Sequence, residues 1–269
     1  MSSPEYKSIL DIHDLTLGYG DNIILNQLFL RIPEGKVSVI IGPNGSGKST
    51  LLKALSGAIS PDSGQVNLHN KNISKLSPKA RARSLSLLPQ VNTAPDGITV
   101  RELVERGRYA YQTWYRQWHK DDQHAVDNAL QYTDLSHQAE RPMQELSGGQ
   151  KQRAWLALVL AQNTPLLLLD EPTTYLDIGH QIEVLNVCQN LNKHQGRTIV
   201  MVLHDLNLAA RYADFMIAMK DGNIIATGTP QDVVVSSIIN KLFNLPNLII
   251  SDPVSHTPLV VPQLSQAHK

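Results

Sequence analysis

The sequence predicts an α/β fold with an inserted helical subdomain, and three observations carry that expectation. Short runs rich in Val, Ile and Leu alternate with stretches of helical period. Val37 to Ile41 is an unbroken apolar run, followed by a glycine-rich turn and a helix from about Lys48 to Ser56. From about Asn92 to Gln162 the patterns are helical, with no convincing strand. A chain of 269 residues, 42% hydrophobic and 18% charged, can bury a sizeable core, which argues against disorder.

Taken in order, Ile9 to Ile32 reads as apolar strands broken by Gly18, Gly20 and Asp21-Asn22. Val37 to Ile41 reads as a strand buried on both faces, because it does not alternate. The helix after it places Leu51, Leu52 and Leu55 on one side, and Gly57 suits its C-terminus. Thr99 with Glu102 forms a capping box ahead of Val100, Leu103 and Val104, and a second amphipathic stretch covers about Asp121 to Tyr132. Leu166 to Asp170 and Thr198 to Leu203 read as further buried parallel strands around a helix from about Gly179 to His194. Asp221-Gly222 is a hairpin turn between Phe215–Met219 and Asn223–Ala226. The last thirty or so residues, apolar with several prolines, suit a small packed appendage.

Charge excludes some functions. Lys+Arg and Asp+Glu both number 24, which argues against a nucleic-acid binder and a polybasic membrane anchor. A single cysteine precludes an internal disulfide and suits a reducing compartment. The N-terminus has no basic start followed by an apolar stretch, and no apolar run is long enough to cross a bilayer. A soluble, cytosolic chain is expected, with any membrane work done through a partner.

Residues 42 to 50 read Gly42-Pro43-Asn44-Gly45-Ser46-Gly47-Lys48-Ser49-Thr50, which fits G-x-x-x-x-G-K-[ST] between a buried strand and a helix. The glycines let successive N–H groups point at phosphate oxygens, and the helix adds its positive end. Lys48 can reach the β- and γ-phosphates, and the Ser49 hydroxyl can bind Mg²⁺. At the C-terminal edge of the Leu166–Asp170 strand, Asp170 is placed to hold Mg²⁺ and Glu171 to polarise the water attacking the γ-phosphate. A kinase, a GTPase or another phosphate-loop NTPase satisfies these features equally.

Leu146-Ser147-Gly148-Gly149-Gln150 precedes a helix holding Trp155, Leu156, Leu158, Val159 and Leu160, and Ser147 with Gln150 makes another capping box. It is a second anion-seeking helix start. This LSGGQ run, together with the phosphate loop, resembles the ATP-binding subunit of an ABC transporter, and the resemblance covers nearly the whole chain. It implies a P-loop NTPase core of the ABC ATPase type: a mixed sheet with an N-terminal antiparallel β subdomain and an inserted helical subdomain at about 92–162. Residues 1–245 would form the ATP-binding domain and 246–269 a C-terminal tail.

Further residues take roles by the same resemblance. Tyr19 matches the aromatic residue that stacks on adenine. Gln90, in Leu87-Leu88-Pro89-Gln90, matches the glutamine that contacts Mg²⁺ and the attacking water. Thr173-Thr174-Tyr175-Leu176-Asp177 matches the D-loop, with Asp177 near a dimer interface, and His204 matches the switch histidine on the γ-phosphate. Taken singly, Tyr19 would be a packing residue, Gln90 a surface amide, and His204 one of 10 unremarked histidines. Spacing gives the other histidines, including His13, His119 and His180, no metal pattern. Cys188 falls on an Ile178–Ile182–Leu185–Cys188–Leu191 stripe and reads as core, while the Met and Trp residues read as packing and not as cofactor boxes.

The resemblance also implies a head-to-tail homodimer with two ATP molecules between subunits, Ser147 and Gly149 coming from the second copy. Within transporters, Ile98 to Val104, Arg106-Gly107-Arg108-Tyr109, Leu203 to Asn207 and the tail Asp252 to Pro262 resemble ATPases of ferric-siderophore importers of the ferric-enterobactin type. That implies membrane permease partners, a substrate-binding protein acting indirectly, no nucleic acid, and a peripheral position on the cytoplasmic side of the inner membrane. Importers of haem and cobalamin share much of this pattern. Soluble non-transport ABC ATPases differ, with paired cassettes or a long coiled coil.

Overall fold

The computed structural model describes residues 6–90, 93–112, 118–174 and 176–263. The chain divides into two compact units, one made of the chain up to Ser74 with the chain from Val200 onward, the other of Lys75–Ile199.

The first unit opens with β1 (Ser8–Tyr19), β2 (Asn22–Pro33), β3 (Val37–Ile41), α1 (Lys48–Leu55), β4 (Ser63–Leu68) and β5 (Lys71–Asn72). β2, β1, β4 and β5 lie in that order in an antiparallel sheet. Its buried residues include Leu10, Ile12, Leu15, Leu17, Leu25 and Ile32. The β1–β2 turn is tight, Tyr19 pairing with Asn22 across Gly20 (φ 59°) and Asp21. α1 buries Leu51, Leu52 and Leu55. It ends where Gly57 turns left-handed (φ 67°) and the amides of Gly57 and Ala58 bond the carbonyls of Ala54 and Lys53, a Schellman stop.

The second unit contains α2 (Pro78–Ser84), β6 (Leu85–Leu88), α3 (Val100–Glu105), α4 (Lys120–Tyr132), α5 (Gly148–Ala161), β7 (Leu166–Asp170), α6 (Ile178–Gln195) and the start of β8 (Thr198–Val202). The expected Thr99–Glu102 box caps α3. α3 and α4 both pack on α5, and Val100, Leu103, Val126, Leu130, Leu156 and Leu160 of these helices are buried. The Arg106–Arg108 turn lies so close to α5 that a Cβ on Gly107 would meet the Leu158 carbonyl at 2.5 Å. Arg108 then enters the core, paired with buried Asp122 at 2.8 Å and donating to the Ala161 carbonyl at 2.7 Å. On α6, Leu185, Cys188 and Leu191 are buried as the stripe predicts, and burial pushes the Cys188 thiol up to about 12. Ile178 departs from that stripe: at the first turn of α6 it is 77% exposed.

The chain returns to the first unit with α7 (Leu206–Tyr212), β9 (Phe215–Lys220), β10 (Asn223–Gly228), α8 (Pro230–Val233), α9 (Ser236–Phe243), β11 (Asn247–Ser251) and β12 (Pro258–Pro262). The strand order is β10-β9-β3-β8 in this unit and β8-β7-β6 in the second, β8 spanning the division. β3 runs parallel to β9, and β6 to β7. Every residue of β3, β7 and β8 is buried. A buried Leu, Ile or Val contributes about 1.5–3 kcal/mol, so the loops at the strand ends stand on firm supports. The expected apolar appendage is the β11–β12 hairpin.

Candidate functional site

In the first unit the glycine-rich loop leaves β3 and enters α1. Gly42 sits at φ 152°, and a Cβ there would lie 2.1 Å from the Met219 carbonyl oxygen. Gly47 caps α1 in the left-handed region (φ 94°), and no side chain caps that helix. Lys48 folds back under the loop, Nζ donating to the carbonyls of Gly42 (2.9 Å) and Pro43 (2.8 Å), and is 5% exposed. Ser46 Oγ is buried with no hydrogen-bond partner among the described residues, an open polar group beside a lysine. Uncapped N–H groups, a buried ammonium and an orphaned hydroxyl together make a cradle for an anion.

The β9–β10 turn braces this loop, a contact that sequence reasoning missed because Asp221-Gly222 announces only a turn. The Gly222 amide bonds the Ser46 carbonyl at 3.2 Å. Tyr19, at the tip of the β1–β2 turn, is 53% exposed, so its ring presents a face to solvent. His204 is also exposed, just past β8 and one residue ahead of Asp205, which caps α7 through the amides of Asn207 and Leu208.

In the second unit Gln90 and Glu171, far apart in sequence, are joined: Gln90 Nε2 donates to Glu171 Oε2 at 2.8 Å. Thr174 Oγ1 donates to the same oxygen at 3.0 Å. Glu171 is 8% exposed and holds φ 51°, a left-handed conformation uncommon for a residue with a Cβ and concentrated at functional sites. Asp170, at the end of β7, is 2% exposed. Neither the strain at Glu171 nor the role of Thr174 was foreseen; the Thr173-Thr174 pair after Glu171-Pro172 was the available signal.

Ser147 and Gln150 form the expected box, Ser147 Oγ accepting from the Gln150 amide (3.3 Å) and Gln150 Oε1 from the Ser147 amide (3.0 Å). A Cβ on Gly149 would touch Leu176 at 3.3 Å, so this helix start packs against the D-loop. Gln152 donates to the Pro172 carbonyl and Gln181 to that of Leu176, pinning the same loop. Tyr175 lies outside the described residues. Asp177 caps α6, accepting from the His180 amide (2.9 Å) and pairing with its ring at 2.8 Å; these two partners hold its carboxyl below the usual range. His180 therefore has a local role that spacing did not assign. Trp155 is half-buried and, with Gln90, Pro95, Met143, Lys151 and Thr174, lines a cleft of about 510 Å³.

The sequence matches the ABC transporter family model over residues 25–174, a span that includes both glycine-rich helix starts and the Asp170–Glu171 pair. This chain belongs to the ABC transporter family. Among its ABC transporter relatives, the achromobactin transport ATP-binding protein CbrD of Dickeya dadantii is 50% identical over 93% of either chain. The ferric enterobactin transport ATP-binding protein FepC of Escherichia coli is 49% identical over 92% of either chain. Among solved structures, the dimeric bacterial ABC transporter cassette MJ0796 matches with TM-score 0.75 and 30% identity, over 82% of this chain and 98% of that one. The fold is thus that of an ABC ATPase cassette, with its antiparallel β sheet and helical insertion. Among the described residues no helix is long and apolar enough to cross a membrane.

Proposed function

We propose that this chain is the ATP-hydrolysing subunit that energises import of a ferric siderophore through membrane permease subunits. The observation that carries the reading is near-50% identity, over more than nine-tenths of the chain, to subunits named for achromobactin and ferric enterobactin transport. The loop Gly42 to Thr50 binds the phosphates of ATP through its N–H groups, with Lys48 as the counter-charge. Tyr19 stacks on the adenine, a contact worth about 1–3 kcal/mol.

Ser49, Gln90 and Asp170 offer a hydroxyl, an amide oxygen and a buried carboxylate, a hard-oxygen set that fits Mg²⁺. Gln90 spends its Nε2 on Glu171 and keeps an oxygen for such a role. When bound, Mg²⁺ would be held by these three residues and would neutralise charge developing on the transferred phosphoryl group. Gln90 and Thr174 fix one oxygen of Glu171 and so orient the carboxylate, which takes the proton of the water that attacks the γ-phosphate. His204 contacts the γ-phosphate and holds it for transfer.

Two copies work together, each ATP held by the phosphate loop of one and by Ser147 of the partner subunit and Gly149 of the partner subunit. Asp177 lies near that interface. ATP then cross-links the dimer and hydrolysis releases it. The cleft lined by Gln90 and Trp155 receives a permease segment, so that a movement of Gln90 with nucleotide state reaches the membrane. The subunit stands peripherally on the cytoplasmic side of the membrane, with residues 1–245 as the motor and 246–269 as a tail. The siderophore itself is chosen by the permease and a substrate-binding protein.

The test is uptake of radioactive iron, offered as several siderophores, into cells carrying wild type or Glu171→Gln. Loss of uptake for one siderophore class, with passive iron entry unchanged, is expected. Unchanged uptake of every iron chelate would overturn the siderophore assignment and leave haem and cobalamin to be tried.

A further inference from the structure

Two sequence stretches that carry none of the ATP chemistry, the residues just after His204 and the tail from Asp252 to Pro262, meet in the first unit. α7 begins two residues beyond His204 and is only seven residues long, too short to hold its shape without tertiary support. Ala209, Ala210 and Tyr212 are buried on one side. On another side, Asn207 and Arg211, spaced i,i+4, face the C-terminal hairpin.

The Asn207 amide grips the backbone of Val260 at two points. Its Oδ1 accepts from the Val260 N–H at 2.8 Å, and its Nδ2 donates to the Val260 carbonyl at 3.4 Å. One turn on, Arg211 Nη2 pairs with Asp252 Oδ2 at 2.6 Å. The other oxygen of Asp252 accepts from the amides of Val254 (2.8 Å) and Ser255 (3.0 Å). The hairpin is braced in turn, the Asp252 amide bonding the Thr257 carbonyl and the Ser255 and Thr257 hydroxyls bonding each other. Asp252 and Val260 are both buried, whereas the Arg211 side chain is 38% exposed, so each grip is anchored on a buried residue of the hairpin and is itself part-buried.

We propose that the C-terminal hairpin is a clamp on α7 that sets the position of His204, with Asn207, Arg211 and Asp252 as positioning residues for the ATPase reaction. His204 stands at the mouth of that helix, so tilt or fraying of α7 displaces the imidazole. The clamp rests on the reading of His204 as the group on the γ-phosphate. It assigns the tail a part in the chemistry that no ATP motif reveals.

The test uses the full chain and four variants, Asn207→Ala, Asp252→Ala, Arg211→Lys and His204→Ala. Steady-state ATP hydrolysis is measured with the proton NMR resonance of the His204 ring, identified by its loss in His204→Ala. The clamp requires that Asn207→Ala and Asp252→Ala lower kcat by about tenfold to a hundredfold, as a displacement near 1 Å does. KM for ATP should hold, the His204 resonance should shift or broaden, and Arg211→Lys should keep most of the rate. Wild-type kcat in both alanine variants, beside an inactive His204→Ala, would overturn the clamp. So would a loss of kcat with the His204 resonance unmoved, or a parallel loss of KM and melting temperature. Wild-type kcat in His204→Ala would instead overturn the reading of His204 on which the clamp stands.

Discussion

Two helices of this chain begin at glycine-rich turns, α1 at Gly47 and α5 at Ser147, and they treat their first N–H groups in opposite ways. α1 has a glycine in the left-handed region as its cap and no side chain to satisfy its N-terminus. α5 has a complete capping box between Ser147 and Gln150. An uncapped start leaves donors and dipole for a ligand, whereas a capped start is stable without one. The Ser147 hydroxyl still retains its own proton, since it accepts from Gln150 and a hydroxyl both accepts and donates. On the function proposed above, the first start holds the nucleotide and the second adds a donor once two copies close.

The largest effect that bears on this difference comes from Glu171→Gln. Loss of the general base should lower phosphate release by about 10²–10⁴-fold while ATP stays bound. Gel filtration with ATP should then show a stable dimer. Near-wild-type turnover in that variant would remove Glu171 from its role and, with it, the trapped state needed to compare the two helix starts.

Next comes Lys48→Ala, which strikes the α1 side alone. A charge-assisted hydrogen bond is worth about 1.5–3 kcal/mol, so affinity for a fluorescent ATP analogue should fall about tenfold to a hundredfold. Unchanged affinity would mean that the loop around Lys48 is not where the phosphates sit.

Ser147→Ala separates the two starts more finely. Losing the cap should cost about 1 kcal/mol and lower Tm by a few degrees. Monomer affinity for nucleotide should be untouched, yet Ser147→Ala combined with Glu171→Gln should no longer dimerise with ATP. A weaker monomer affinity would break the contrast between a binding start and a closing start.

Both helix starts were legible in the sequence because their logic is local. A capping box needs residues three apart, and the phosphate loop is nine consecutive residues whose backbone shape glycine dictates. The strands β3, β7 and β8 were legible for the same reason, as unbroken apolar runs. What escaped were contacts between distant segments: Gly222 on Ser46, Gln90 on Glu171, and Asn207 on Val260. Gly107 and Arg108 could be matched to a family pattern, but their physical reason, a turn pressed on α5 and a buried pair with Asp122, needed the fold. Ile178 misled because helical period says which residues share a face and not where the helix emerges into water.

A third helix start, that of α6, supplies the smallest and sharpest test of the comparison. Asp177 caps it with a carboxylate, so this N-terminus already carries its own anion and has no call for a phosphate. The His180 amide first, and then its side chain, hold that carboxyl below the usual range. A carboxyl with a depressed folded-state pKa stabilises the fold fully above its unfolded value of about 3.9 and loses that contribution as pH falls through the folded one. Between pH 5 and 8 the cap should thus be constant, and Asp177→Asn, which keeps a capping oxygen, should leave Tm and nucleotide affinity unchanged there. Below about pH 4 the wild type should lose a share of Tm that Asp177→Asn does not. If Asp177→Asn instead raised monomer affinity for ATP at neutral pH, the α6 start would be competing for phosphate, and the assignment of phosphate to α1 and α5 alone would fall.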